Sequence, residues 1–273
     1  MSEDGDNTLS EAMFDMGRMF GGTCEPDYHD FAYGGFHQRL RVQTEGDRSD
    51  LGATFSVQGH LLWHSAPVFA RYLEGVCSPP ASPESPCAAA VRRALAPVLT
   101  RTASAPPQTT TRIAELGSGA GLTGVLLGQM VAAQGGPARV LLTDHDDAVL
   151  RLLDENVRAN AGAARVCAVR ALDWTCALAP GGLAGGGTGV DEWLGACDAV
   201  VATDVMHRTD LYRALFASAA QLLRAGQPFV AVSGLWRYAW EAVHPAAEAA
   251  GLTVVSEHQD DENQAIVSVF TKN

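Results

Sequence analysis

The short apolar run 113–116 leads into Gly117-Ser118-Gly119-Ala120-Gly121-Leu122-Thr123-Gly124. Glycines let a backbone turn sharply and approach a ligand closely. A helix starting just after such a turn offers free N–H groups and the positive end of its dipole to a carboxylate or phosphate. Asp144, at the end of the next apolar run, stands where a carboxylate accepts hydrogen bonds from ribose hydroxyls. Gly119-x-Gly121-x-x-Gly124 followed by Asp144 also matches a dinucleotide fingerprint. Asp173 and Trp174 follow a third apolar run. Such a pair can clamp an adenine, the carboxylate accepting from the exocyclic amine and the indole covering the ring. Asp204 and His207 follow a fourth run, at the strand ends where open α/β sheets bind ligands. A nicotinamide-dependent dehydrogenase would use the turn but leave Asp173, Trp174 and Asp204 without a purpose.

Only a sheet can bring these residues together. Short apolar runs at 113–116, 140–143, 166–169, 199–202 and 229–232 alternate with helical segments at 121–133, 146–160, 209–223 and 238–250. That rhythm belongs to βαβ units around a parallel sheet. Two further strand-like runs, 252–256 and 265–271, flank the polar 260–263 and predict an antiparallel hairpin. The expected fold class is therefore α/β, a Rossmann-like sheet, mostly parallel with a C-terminal antiparallel hairpin. Ahead of it, a strand over 36–42 and helices over 60–74 and 88–99 form an N-terminal β/α extension, with Pro-rich loops at 78–83 and 100–111. Residues 1–35 read as a flexible acidic tail, 36–273 as one domain whose extension covers 36–110, and 180–189 as a Gly-rich insertion that loops out.

Composition narrows the function classes. Hydrophobic residues make up 47 % of the chain and charged residues 18 %, so a core can form. The net charge of -12, without any basic run, argues against nucleic acid as a partner. Cys24, Cys77, Cys87, Cys167, Cys176 and Cys197 form no Cys-x-x-Cys pair, which suits reduced thiols in cytoplasm or nucleus. His60 and His64 stand four apart with no third ligand beside them, so no metal site is expected. Ser233 lacks the Gly-x-Ser-x-Gly setting of a hydrolase. No apolar stretch suggests a membrane span or a secretory leader. A monomer is the favoured state.

Five segments occur in an order and spacing that is similar to a known family: Gly59-His60-Leu61-Leu62-Trp63, Glu115-Leu116-Gly117-Ser118-Gly119, Thr143-Asp144, Leu172-Asp173-Trp174 and Thr203-Asp204-Val205-Met206-His207. Together they resemble the protein-lysine methyltransferases of methyltransferase family 16, in the seven-strand class. Gly117-x-Gly119-x-Gly121 preceded by Glu115 resembles the cofactor motif of that class. The resemblance runs from about Phe36 to the C-terminus and implies S-adenosylmethionine as cofactor and a lysine of a protein as acceptor. It implies that Trp63 closes over the cofactor, that Gly117, Ser118 and Gly119 hold its methionine part, and that Glu115 and Gly121 also belong to the cofactor-binding set. Asp144, with His145 beside it, would bind the ribose, Asp173 and Trp174 the adenine, and Thr203 would line the pocket. Asp204 opens the family's Asp-x-x-Tyr motif, whose fourth place is here His207. That departure leaves any role needing a phenol without a residue, and it opens a different acceptor or a weakened enzyme.

Methyl transfer from a sulfonium is an in-line displacement, so the protein must align the partners and exclude water. A lysine acceptor, with an ordinary pKa of about 10.4, must first lose its proton. In this reading Asp204 orients the amine and His207 accepts its proton. The alternatives are a histidine side chain or a small molecule as acceptor, an NAD-dependent dehydrogenase, and a catalytically silent binding module.

Overall fold

The computed structural model describes residues 27–42, 59–77, 84–100, 110–186 and 189–273. Strands β1 (Asp27–Tyr33) and β2 (Phe36–Val42) form an antiparallel hairpin. Gly34 and Gly35 join them with φ of 54° and 83°, the left-handed pair that a two-residue hairpin turn needs. Within the tail expected over 1–35, 27–33 is a strand and 34–35 a turn, and 1–26 lie outside the described residues. The Gly-Gly pair between two alternating runs was the available signal.

Helices α1 (Ser65–Cys77) and α2 (Pro86–Leu99) follow. α2 starts where the Ser85 hydroxyl accepts from the Ala88 N–H at 3.1 Å. α1 starts five residues later than the expected 60–74 helix, because 60–64 serves as a covering segment described below. The longer remaining elements are β3 (Thr111–Leu116), α3 (Leu122–Ala133), β4 (Ala138–Asp144), α4 (Asp147–Ala159), β5 (Cys167–Ala171), β6 (Ala199–Thr203), α5 (Tyr212–Leu222), β7 (Pro228–Gly234), α6 (Trp240–Ala249), β8 (Leu252–Asp260) and β9 (Ala265–Lys272).

The large sheet has seven strands in the order β5-β4-β3-β6-β7-β9-β8. β9 is antiparallel to both of its neighbours and the other pairings are parallel, as the periodicity predicts. From β3 the chain steps outward to β4 and β5, then returns to β6 on the other side. That reversal opens a crevice at the carboxyl ends of β3 and β6. Two apolar clusters cover the faces, one around α1–α3 and α4, the other around α5, α6 and the buried Trp193. α3 packs so tightly that a Cβ on Gly124 would lie 2.3 Å from Leu142 Cδ2. Residues 180–186 do not loop out as expected. Leu183 is fully buried, and its N–H donates to Gln221 Oε1 at 2.8 Å.

The hairpin is fastened to α4 by two asparagines. Asn156 Oδ1 accepts from the Arg41 N–H at 2.7 Å, and its Nδ2 donates to the Arg41 carbonyl at 2.9 Å. Asn160 repeats both bonds with Arg39, each at 3.0 Å. Four residues of helix rise about 6 Å and two residues of strand about 6.7 Å. Amides one helical turn apart therefore meet alternate residues of a strand and act as its missing neighbour.

Candidate functional site

The crevice holds a cavity of about 370 Å³. Trp63, Gly117, Gly119, Asp144, His145, Asp173, Trp174, Thr203, Asp204 and His207 line it; Glu115, Ser118 and Gly121 do not. Gly59, Val149, Leu172, Thr175, Val205, Arg208 and Leu211 complete the wall. Apart from Gly59, Leu172 and Val205, which stand in segments already singled out, these have no local signal. They reach the cavity only through the fold.

One end of the cavity is built from backbone. Gly117, Gly119 and Gly121 have φ of 70°, 52° and 94°, which side-chain-bearing residues seldom adopt. Ser118 pins the turn to β4. Its N–H donates to the Thr143 carbonyl at 2.7 Å, and its hydroxyl accepts from the Thr143 N–H at 3.1 Å. Asp144 Oδ2 accepts from the Gly119 N–H at 3.2 Å, and Oδ1 accepts from the N–H of His145 at 2.8 Å and of Asp146 at 3.3 Å. The Asp144 carboxylate, hydrogen-bonded to the His145 ring, holds that imidazole's pKa above its ordinary value. Gly59 lies over the turn, its carbonyl oxygen 3.1 Å from where a Gly119 Cβ would sit. The 59–63 segment is thus a roof, which is why helix α1 begins after it.

Glu115 sits beneath this turn, 2 % exposed, with Oε2 lacking a partner. Burial pushes its carboxyl up to about 8, and the nearby Asp144 charge adds to the rise. Its place is under the floor of the cavity, so its part in holding a ligand is indirect.

Trp174 forms a side wall. A Cβ on Gly117 would lie 3.2 Å from Trp174 Cζ2 and 2.6 Å from Val205 Cγ1, so the indole edge closes directly over the turn. Trp174 Nε1 is buried without a hydrogen-bond partner. Asp173 lines the cavity while its Oδ1 caps the following turn, accepting from the Thr175 N–H at 2.8 Å and hydroxyl at 2.7 Å.

The other end depends on side chains. Asp204 follows β6 with φ of 55°, a left-handed conformation uncommon outside glycine. Its Oδ2 accepts from the Ser65 N–H at 2.8 Å, and its Oδ1 from the Gly234 N–H at 3.0 Å. It thus caps α1 from across the fold and braces the end of β7. His207 is exposed at the rim, with Nδ1 3.4 Å from the Asp204 carbonyl oxygen. Partial burial and the charges of Arg237 and Arg208 hold its pKa below the ordinary value. The Arg237 guanidinium lies over the Trp63 ring, 4.1 Å from its centroid. Thr203 Oγ1 is 3.4 Å from Thr123 Oγ1.

These residues fit S-adenosylmethionine. Gly117 and Gly119 leave no room for a Cβ, so backbone alone forms this part of the cavity and a ligand can approach it closely. Asp144 offers a carboxylate to hydroxyls, and Trp174 lines the cavity with an indole suited to a flat ring. The volume is in the range of small-ligand pockets, about 300–1,000 Å³.

A family model described as lysine methyltransferase matches residues 51–237. No curated protein matches. Among solved structures, the chain is similar to a TehB-like SAM-dependent methyltransferase from Corynebacterium glutamicum, with 20 % identity, a TM-score of 0.44 and coverage of 60 % of this chain and 80 % of that one. It is also similar to a putative sarcosine dimethylglycine methyltransferase from Galdieria sulphuraria, at 12 % identity, TM-score 0.47 and coverage of 67 % and 83 %. A 16S rRNA methyltransferase from T. thermophilus aligns at 15 % identity and TM-score 0.44, over 90 % of this chain and 45 % of that one.

Proposed function

The chain belongs to the lysine methyltransferase family and is an S-adenosylmethionine-dependent methyltransferase, and from that premise we propose that its acceptor is a lysine side chain of a protein. The observation that carries this reading is one cavity running from the glycine turn to His207, a base at an open rim. The cofactor, when bound, supplies an electrophilic methyl group on a sulfonium.

The chain's own residues do the rest. The glycine turn and Asp144 fix one end of the cofactor, and Trp63 and Trp174 exclude water from the sides. At 3.4 Å from a carbonyl oxygen, His207 Nδ1 carries the proton, which leaves the Nε2 lone pair free in the neutral ring. The lowered pKa keeps that neutral form present at pH 7. Nε2 then accepts a proton from the entering amine and, being at the rim, passes it to solvent. The same arginine charges that depress His207 favour a neutral amine beside it. Asp204 works first as the brace that sets this rim, since both its oxygens already accept backbone N–H bonds.

The test is labelled-methyl transfer from S-adenosylmethionine to a cell extract, followed by acid hydrolysis. Methyl-lysine in the hydrolysate is the expected result. Methyl-histidine as the sole product, or label found only in small molecules, would overturn the lysine reading.

A further inference from the structure

Two guanidinium groups, Arg208 and Arg237, stand at the acceptor end of the cavity. Arg237 stacks on Trp63, a cavity wall. Among the described residues no carboxylate forms an ion pair with Arg237. Arg208 lines the same end and is held by Asp210, while Asp204 is turned inward to backbone donors. Arg237 thus presents a guanidinium that no described carboxylate neutralises, over the Trp63 wall.

That guanidinium is held in place by its neighbours. The Tyr212 hydroxyl lies 3.1 Å from the Met206 carbonyl oxygen and 3.4 Å from that of Arg237, joining the loops that follow β6 and β7. One residue on, the Tyr238 hydroxyl bonds to Glu257 and, at 2.8 Å, to Ser268. The Tyr238 ring also packs on Trp240 at 4.6 Å. At the other end of the 235–238 loop, the Leu235 N–H donates to the Gln264 carbonyl at 3.0 Å, so the loop is fixed at both ends. Between them Trp236 is 63 % exposed, its ring 5.7 Å from that of His64. An exposed indole next to a guanidinium with no carboxylate partner among the described residues suits a segment that is part apolar and part anionic.

We infer that Arg237, with Trp236 beside it, reads a carboxylate flanking the acceptor, so that the substrate is an acidic stretch of protein around the methylated lysine. This rests on the lysine reading above. A planar guanidinium takes a carboxylate through two parallel hydrogen bonds, which fixes register as well as charge. The chain's net charge of -12 does not oppose this. Charges beyond a Debye length of about 8 Å are screened at physiological salt, so the local cation decides. The carboxylate also offsets the repulsion between Arg237 and an arriving ammonium, letting the lysine approach before it gives up its proton.

The experiment maps methyl-lysine sites made in extract by the full chain. It then compares peptides copied from those sites with versions whose flanking Glu and Asp are changed to Gln and Asn. Each is assayed with wild type, Arg237→Gln and Arg237→Glu, and S-adenosylhomocysteine affinity is measured on all three proteins to report folding. Wild type is expected to favour the acidic peptides by roughly 10-fold in kcat/KM. Arg237→Gln should erase that preference, and Arg237→Glu should turn it toward Lys-flanked peptides, a gain that misfolding cannot produce. Mapped sites without acidic flanks, or a preference that survives in Arg237→Gln, would overturn the inference while leaving the lysine reading standing. Absence of methyl-lysine from the extract, with S-adenosylhomocysteine still bound, would instead sink the lysine reading and this inference with it.

Discussion

The two ends of the cavity are made of different material. At the cofactor end the contacts are backbone groups fixed by buried bonds: the glycine turn tied to Thr143 through Ser118, and Asp144 holding three N–H groups at once. At the acceptor end they are the side chains of His207, Arg208 and Arg237, on loops anchored from behind by Asp204 and Tyr212. A cofactor is the same molecule in every turnover, so its site can be written into the backbone. An acceptor differs from enzyme to enzyme, and side chains on loops can change without disturbing the sheet. Substitutions at the first end should therefore cost binding and stability, and substitutions at the second should cost rate and choice.

The largest effect is expected from Asp144→Ala. Losing two charge-assisted bonds to ribose hydroxyls, worth about 2 kcal/mol each, weakens S-adenosylhomocysteine binding roughly 1,000-fold. Calorimetry on this variant beside His207→Ala tests the contrast directly. Equal losses in both would break it.

Glu115 gives the next effect, on stability. Its pKa is pushed up to about 8 from an ordinary 4.5, so the folded state favours the protonated acid. The associated stability is fully present below pH 4.5 and is lost as pH rises through 8. Glu115→Gln removes this titration. It should lessen the loss of stability between pH 5 and pH 9 by on the order of 3 kcal/mol in denaturant melts. Because the side chain lies under the floor, cofactor affinity should change by less than about threefold. A large affinity loss would return Glu115 to the cavity wall.

His207→Ala comes third. Removing a general base should lower kcat by roughly 100-fold while leaving S-adenosylhomocysteine affinity nearly unchanged. In the wild type the rate should fall on the acid side only below the ordinary histidine value of 6.5, because the neutral base persists to lower pH. That limb should vanish in the variant. A limb that survives would move proton removal to another group.

The same division explains what the sequence shows and what it hides. The cofactor end is local: strand, glycines, helix start and a carboxylate one strand later follow in order, so Gly117, Gly119, Asp144 and Trp174 can be read from spacing. Glu115 was placed one layer too high, because spacing says that it precedes the turn but not that its side chain points beneath it. Arg208 reaches the cavity, and Arg237 its Trp63 wall, through loops joined by Tyr212, a contact between residues 25 apart for Arg237, and they carry no periodic signal. Asp204 reads as a reacting carboxylate from its position, yet its partners Ser65 and Gly234 lie far away in sequence and make it a brace. The hairpin's attachment is hidden for the same reason. Asn156 and Asn160 look like ordinary polar residues of a helix until β2 is laid beside them.

That attachment supplies the smallest effect and the finest test of the contrast. Asn156 and Asn160 make matching pairs of bonds to β2, so either change to Ala should cost a similar 1–2 kcal/mol, roughly, in denaturant melts. Each Nδ2 makes one further bond: that of Asn160 stays local, donating to the Asn156 carbonyl at 2.7 Å, while that of Asn156 reaches the Ala120 carbonyl at 2.8 Å, inside the glycine turn. If the cofactor end is rigid because its backbone is bonded outward to its surroundings, Asn156→Ala should weaken S-adenosylhomocysteine binding about threefold, while Asn160→Ala leaves it unchanged. The variants differ little in size and exposure, so a shared loss of hairpin packing cannot produce that difference. Equal affinities would mean that the turn holds its shape without the hairpin, and that the rigidity of the cofactor end is confined to β3, β4 and Ser118.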